Sequence, residues 1–285
     1  FLEKTGKQFV VLAHGYPPDE KNGYITFFDF SAEGVPFQKW RYDFHQYTCF
    51  PTLLQSDIEG DGRKEIAVQT HSRMWLLDSE TGVLKDFLSW DVSPANIRSY
   101  GLTVFVDLDK DGRDDFLCIA DFAQHHEVLM NRNGKLIPAW HYGWDESVTT
   151  GKVATRQCVP PYGDVDGDGL LEIIVSMFNS EGENAWLLRI YDAVTGALKY
   201  KKRDFIATQC LDIDRDGVSE VLGNVCKEST GTLFYGAVLL AIHDGDWVNL
   251  WHDSSGHAAT PDEVASFRAV SPSAEERGYI KNVDS

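Results

Sequence analysis

"YGDVDGDGLLEIIVSMF", residues 162–178, places aspartates at 164, 166 and 168, a glycine at 169, a glutamate at 172 and then a run of apolar residues. Carboxylates this close repel one another and push each other's pKa upward unless something positive sits among them. The apolar run that follows is short and rich in β-branched and aromatic residues, as a buried strand is. The stretch therefore predicts a cation-holding turn that feeds directly into a strand.

The same pattern occurs three more times. "DIEGDGRKE" (57–65), "DLDKDGRDD" (107–115), "DVDGDGLLE" (164–172) and "DIDRDGVSE" (212–220) all carry an acid at positions 1, 3, 5 and 9 and glycine at 6. Oxygen ligands at 1, 3 and 5 of a tight loop converge on one point, with the glycine supplying the turn. A carbonyl near 7 and the carboxylate at 9 can complete the oxygen shell that Ca²⁺ takes. An EF-hand needs a glutamate at loop position 12 and helices on both sides. Position 12 here is Val68, Cys118, Val175 and Gly223, and the flanks "EIAVQT", "DFLCIAD", "EIIVSMF" and "EVLGNV" read as strands.

Each loop sits inside a larger unit. One strand precedes it ("FPTLLQS", "GLTVFV", "CVPPYG", "IATQCL"), a second follows, and a third ends in Asp/Asn-to-Gly turn residues ("RMWLLDSETG", "HEVLMNRNG", "AWLLRIYDAVTG", "AVLLAIHDGD"). A fourth completes it ("VLKDFLSW", "KLIPAW", "ALKYKK", "WVNLWH"). Four antiparallel strands in a repeat of about 50 residues predict an all-β fold, a β-propeller of four-stranded blades.

With these motifs the chain resembles the FG-GAP/VCBS family of calcium-loop propeller repeats. The resemblance implies structural Ca²⁺, about four ions, between the first and second strands of each blade. The ligands it implies are Asp57, Glu59, Asp61 and Glu65; Asp107, Asp109, Asp111 and Asp115; Asp164, Asp166, Asp168 and Glu172; and Asp212, Asp214, Asp216 and Glu220. The first loop departs from the pattern, with Glu59 where the others have aspartate.

The ends hold partial units. "FVVLAHG", "GYITFFDFSAEG" and "PFQKW" supply the later strands of a blade whose loop is missing or degraded to "EKTGKQ", and "YIKNVDS" starts another loop with Asn282 and Asp284. The expected layout is a partial blade over 1–42, blades at about 48–90, 100–142, 157–202 and 206–252, and the start of a further one at 266–285. A propeller must close to hide its edge strands. The expectation is a fragment of a six- to eight-bladed ring from a longer parent chain, with closure of the partial blades into a five-bladed ring as the other solution. The N-terminus has neither an initiator Met nor a signal pattern, so something is expected to precede it.

The net charge of −18 over 285 residues opposes nucleic acid and anionic membrane surfaces as partners and suits a protein that holds cations. No apolar run approaches the roughly 20 residues of a spanning helix. Acidic loops of this kind suit a calcium-rich setting, so an extracellular place is expected, secreted, cell-surface or periplasmic. Cys49, Cys118, Cys158, Cys210 and Cys226 form no CxxC pair. Cys210 and Cys226 flank one loop and are either a cross-strand pair or two buried thiols. Trp40, Trp90, Trp140 and Trp251 recur at blade spacing and are expected to pack between blades.

In such repeats the ligand face is built from the loops opposite the calcium. Here those loops carry His45, Gln46 and Tyr47; Arg98 and Tyr100; Arg156 and Gln157; Gln209; His71 and Arg73; His125 and His126; and residues 179–185. Gathered around one mouth, His45, Tyr47, His71, Arg73, Arg98, Tyr100, His125, His126, Arg156 and Gln157 would form a partly cationic, aromatic pocket for a glycan or protein. Adjacent histidines on a strand point to opposite faces, which argues against His125 and His126 as a metal pair. The function expected is a binding, adhesion or scaffold module. The alternative is a polysaccharide lyase acting on uronates, with His45 or Tyr47 as base and Arg98 or Arg156 neutralising the carboxylate. Calcium-bearing rhamnogalacturonan lyases have similar loops. No GxSxG, P-loop or HExxH motif is present.

Overall fold

The computed structural model describes residues 9–13, 23–45, 51–70, 73–89, 102–119, 125–143, 153–180, 182–227 and 235–253; residues 9–13, 102, 125, 126, 142, 143, 153, 157 and 253 are described by their backbone alone. Among these there are nineteen strands and no helix, so no helix is long and apolar enough to cross a membrane. A leading three-stranded sheet holds β1 (Phe9–Ala13), β2 (Tyr24–Phe30) and β3 (Pro36–Asp43). Sheet 1 holds β4 (Thr52–Ser56), β5 (Glu65–Thr70), β6 (Arg73–Leu77) and β7 (Leu84–Ser89). Sheet 2 holds β8 (Leu102–Val106), β9 (Asp115–Ile119), β10 (His125–Asn131) and β11 (Leu136–Gly143). Sheet 3 holds β12 (Val153–Gly163), β13 (Glu172–Asn179), β14 (Trp186–Asp192) and β15 (Leu198–Arg203). Sheet 4 holds β16 (Phe205–Leu211), β17 (Glu220–Val225), β18 (Ala237–His243) and β19 (Asp246–Asp253).

Every sheet is an antiparallel meander, each strand paired with its neighbours in the chain. The acidic loops, numbered 1 to 4 with their sheets, are the connections β4–β5, β8–β9, β12–β13 and β16–β17. The strands that follow them (β5, β9, β13) are buried along their whole length. Their residues alternate between two faces, and both faces are covered. Ile66 and Val68 pack with Ile25, Phe27 and Trp40 of the leading sheet, whereas Ala67 packs with Phe116, Cys118 and Leu129 of sheet 2. Sheets 2 and 3 join through Leu117, Ile119, Ile173 and Val175, and sheets 3 and 4 through Ile174, Leu188, Val221 and Val238. This is why these strands read as continuous apolar runs rather than as an alternating pattern. The outer strands β7 and β15 hold only exposed and half-buried residues.

Two of the tryptophans lock successive sheets. The Trp40 indole N–H donates to the Ser79 carbonyl at 2.9 Å, and that of Trp140 donates to Ala193 at 2.9 Å. Each ring lies against a turn glycine of the next sheet. A Cβ on Gly82 would stand 2.5 Å from the Trp40 ring, and one on Gly196 would stand 2.6 Å from Trp140. Both glycines also have positive φ, so side chains are excluded twice. Trp90 lies outside the described residues, and Trp251 packs half-buried within its own sheet beside Leu222 and Leu239.

The cysteine alternative resolves toward thiols. Cys210 pairs in register with Val221 and packs with Cys158 toward sheet 3, whereas Cys226 follows the far end of β17 and packs with Trp186. They stand at opposite ends of one hairpin and form no disulfide, and Cys118 and Cys158 are buried thiols as well. Burial pushes the Cys118 and Cys210 thiols up to about 12. Cys49 and residues 266–285 lie outside the described residues.

Candidate metal centre

The four acidic loops share one hydrogen-bonding plan. The aspartate at position 1 folds the chain over itself by accepting backbone N–H groups from positions 4 to 6. Asp57 takes those of Gly60 (2.7 Å) and Gly62 (2.8 Å), Asp107 that of Gly112 (2.9 Å), Asp164 that of Gly169 (2.9 Å) and Asp212 that of Gly217 (3.1 Å). The acid at position 9 reaches back to the N–H of position 2. Glu65 accepts from Ile58 at 2.8 Å, Asp115 from Leu108, Glu172 from Val165 and Glu220 from Ile213, each at 2.9 Å. Positions 4 and 6 both adopt positive φ: Gly60, Lys110, Gly167 and Arg215 at the first, and Gly62, Gly112, Gly169 and Gly217 at the second.

This folding brings positions 1, 3 and 9 together in loops 2, 3 and 4. In each of the sets Asp107, Asp109 and Asp115, then Asp164, Asp166 and Glu172, then Asp212, Asp214 and Glu220, carboxylate oxygens lie within 4.8 Å of one another. Hard oxygen donors at this spacing fit a metal ion. Position 5 is not part of these sets. Asp61, Asp111, Asp168 and Asp216 accept the N–H of position 7 at 2.8–2.9 Å and serve the turn. Loop 1 is not gathered in the same way; Glu59 and Glu65 instead share the Lys85 ammonium, at 2.8 and 2.7 Å.

The electrostatics follow from burial. Removal from water pushes Asp115 and Glu172 up, and burial with the charges of Asp214, Asp216 and Asp212 pushes Glu220 up to about 7. Asp168 is held low by its hydrogen bond from Lys199. Against a burial penalty that would lower them, hydrogen bonds to the loop acids hold the Lys85 and Lys199 ammonium groups well above the ordinary lysine value. Neither lysine was marked by the acidic motif. The recurring "TGVLK" (81–85) and "TGALK" (195–199) were the available signal.

Successive loops also touch. The Ser56 hydroxyl donates to Asp114 at 2.6 Å, the Asn131 amide to the Ile58 carbonyl at 2.8 Å, and the Ser219 N–H to the Asp164 carbonyl at 2.6 Å. Lys110 of loop 2 donates to the Gly169 carbonyl of loop 3. Between loops 3 and 4 runs an acidic groove of about 590 Å³ bordered by Asp166, Tyr200, Asp214, Glu220 and His243.

The residues expected to form a ligand mouth fall at the other ends of their sheets wherever they are described. His45 follows β3, exposed, and Arg73 begins β6, exposed. Arg156 lies in β12 opposite Ser176, half-buried, with its guanidinium 5.6 Å from the Trp186 ring centre. His125 and His126 begin β10 and Gln157 lies in β12, each described by backbone alone. Tyr47, His71, Arg98 and Tyr100 lie outside the described residues, as does Gln46. Of the four side chains expected for a lyase, the structure thus describes His45 and Arg156, on different sheets.

No protein-family model matches the chain, and no curated protein sequence matches it. Several solved structures follow a similar backbone course at low identity. An Agrocybe aegerita lectin specific for non-reducing terminal N-acetylglucosamine is 14% identical with a TM-score of 0.47, over 87% of this chain and 62% of that one. The Vibrio cholerae biofilm matrix protein Bap1 is 16% identical with a TM-score of 0.43, over 87% and 39%. A rhamnogalacturonan lyase from Bacillus licheniformis is 16% identical with a TM-score of 0.38, over 89% and 61%. The chain thus spans less than two thirds of the length of each of these β-rich proteins, which are what it is similar to in backbone course.

Proposed function

We propose that this chain is part of an extracellular β-propeller of FG-GAP/VCBS type, stiffened by calcium in its acidic loops, that serves as a binding, adhesion or scaffold module. The observation that carries the reading is the recurrence, on three consecutive sheets, of one donor set whose carboxylate oxygens lie within 4.8 Å of one another. Such a set costs folding free energy unless a cation neutralises it. Asp107, Asp109 and Asp115, and their equivalents in loops 3 and 4, would hold the ion. It would supply charge neutralisation and a tie between the first two strands of each blade.

With the acidic loops at one end of sheets 1 to 4, the other end is left to receive a partner. His45, Arg73 and Arg156 give that end cationic and hydrogen-bonding chemistry suited to an acidic glycan or a carboxylate-bearing protein surface. The test is a glycan array including acidic polysaccharides, run in calcium and in chelator, with the solution followed for unsaturated uronate absorbance. Calcium-dependent binding without new absorbance is the expected result. Growing absorbance would make the protein a lyase instead, and calcium-independent behaviour with no bound calcium would remove the basis of the reading.

A further inference from the structure

Lys85 and Lys199 occupy the same place in sheets 1 and 3, three residues after the turn glycines Gly82 and Gly196. Each is the extra residue of a β-bulge. In sheet 1, Leu76 pairs with Asp86 and Leu77 with Leu84, which leaves Lys85 unpaired; in sheet 3, Ile190 pairs with Tyr200 and Tyr191 with Leu198, which leaves Lys199. A bulge re-aims the side chain it carries. Here it sends both ammonium groups into the acidic loop of their own sheet.

Lys85 contacts Glu59 at 2.8 Å and Glu65 at 2.7 Å, with Asp78 at 3.8 Å. Lys199 contacts Asp166 at 2.6 Å, Asp168 at 2.8 Å and Glu172 at 2.8 Å. Both therefore bridge positions 3 and 9, two of the three donors that converge in loops 2 to 4. Sheets 2 and 4 are built differently. The third residue after the turn glycine is Ile137 or Val248, and the bulge falls two residues later, leaving Ala139 or Leu250 unpaired. Position 4 is Gly60 and Gly167 where the strand has lysine, and Lys110 and Arg215 where it does not. Loop 2 has a cation of another origin: Arg132, exposed and just after β10, pairs with the position 3 acid Asp109 at 2.6 Å.

We infer that Lys85 and Lys199 are tethered cations that hold loops 1 and 3 closed without metal and compete with calcium for them. This rests on the calcium reading of the loops given above. An ammonium with two or three short ion pairs gives what the metal would otherwise give, and an incoming ion has to displace it. Loops 1 and 3 then take calcium more weakly than their carboxylates alone would, and keep their acidic ends ordered when calcium is scarce.

The test is a calorimetric calcium titration of the wild-type chain, Lys85→Met, Lys199→Met and Lys201→Met. Lys201 pairs with Glu183 on the same strand as Lys199 and controls for charge alone. Each of the first two variants is expected to tighten one calcium site by about tenfold or more, the worth of one lost charge-assisted hydrogen bond, with Lys201→Met leaving all sites as they were. Folded Lys85→Met and Lys199→Met with unchanged affinities would overturn the inference and leave the calcium reading standing. No calcium binding by any of the four proteins would overturn both. A second measurement needs no variant: amine labelling of the wild-type chain in chelator, read by mass spectrometry. Lys85 and Lys199 are expected to react about tenfold more slowly than the exposed Lys64 and Lys135, because their ion pairs must open first. Equal rates would overturn the inference.

Discussion

Loops 3 and 4 have the same length, the same glycine at position 6 and the same hydrogen bonds from position 6 to 1, 7 to 5 and 2 to 9, yet their charges are settled differently. In loop 3, Asp166, Asp168 and Glu172 surround Lys199, and the Tyr200 hydroxyl donates to Asp166 at 2.9 Å. In loop 4 the matching strand position is Val248, and Glu220 rises to about 7 under burial and its neighbours' charge. A converging set of carboxylates has to be neutralised. One loop does so with an ammonium built into the fold, the other with a proton or a metal ion. Identical local motifs can therefore differ in what they require from solution, and the residue that decides lies some thirty positions along the chain, on another strand.

The comparison breaks most visibly with pH in metal-free protein. Glu220 is raised in the folded state, from an ordinary 4.5 to about 7. Its stabilising share is therefore complete below about 4.5 and is lost as pH rises through about 7. The expected loss is on the order of 3 kcal/mol between those limits. Burial raises Asp115 and Glu172 as well, which adds loss of the same sign. Urea unfolding across this range in chelator measures it, and Glu220→Gln should flatten much of the slope. A wild-type midpoint that does not fall as pH rises would break the contrast from the loop 4 side.

Asp166→Ala should come next in size. It removes a partner of both Lys199 and Tyr200, and in chelator at pH 8 should cost about 2 kcal/mol, read from the same denaturant midpoints. Retained stability would mean that the contacts of Asp166 with Lys199 and Tyr200 carry little of the loop's stability. Tyr200→Phe removes one hydrogen bond to the same aspartate and should cost about 1 kcal/mol. Ser56→Ala, which cuts the tie from sheet 1 to Asp114 of loop 2, should be of similar size. If Tyr200→Phe cost as much as Asp166→Ala, the lysine contacts of loop 3 would carry little weight.

The parts of this arrangement that could be read from the chain are those the backbone dictates locally. Position 1 must cap the turn, position 6 must take positive φ and position 9 must return to the N–H of position 2, so these residues recur and identify themselves. The fully buried β5, β9 and β13 were visible as apolar runs because both of their faces are covered. Two things were not legible. Position 5 reads like position 3 in the sequence, yet it stands outside the converging sets and accepts the N–H of position 7, a detail of turn geometry that spacing does not reveal. The lysines were hidden because their role depends on a bulge, which is a property of the pairing between two strands and not of either strand. The residues expected on the opposite face come from separate sheets and carry no shared spacing, so no repeat in the chain marks them.

The most direct test of the central claim, that cations hold the acidic loops together, is scanning calorimetry at pH 8 of the wild-type chain and Glu220→Gln, each in calcium and in chelator. Calcium should raise the wild-type melting temperature, each site adding about 2.7 kcal/mol at a hundredfold excess over its Kd. The rise should be smaller in Glu220→Gln by one site's share. Superimposable wild-type thermograms with and without calcium would contradict the account.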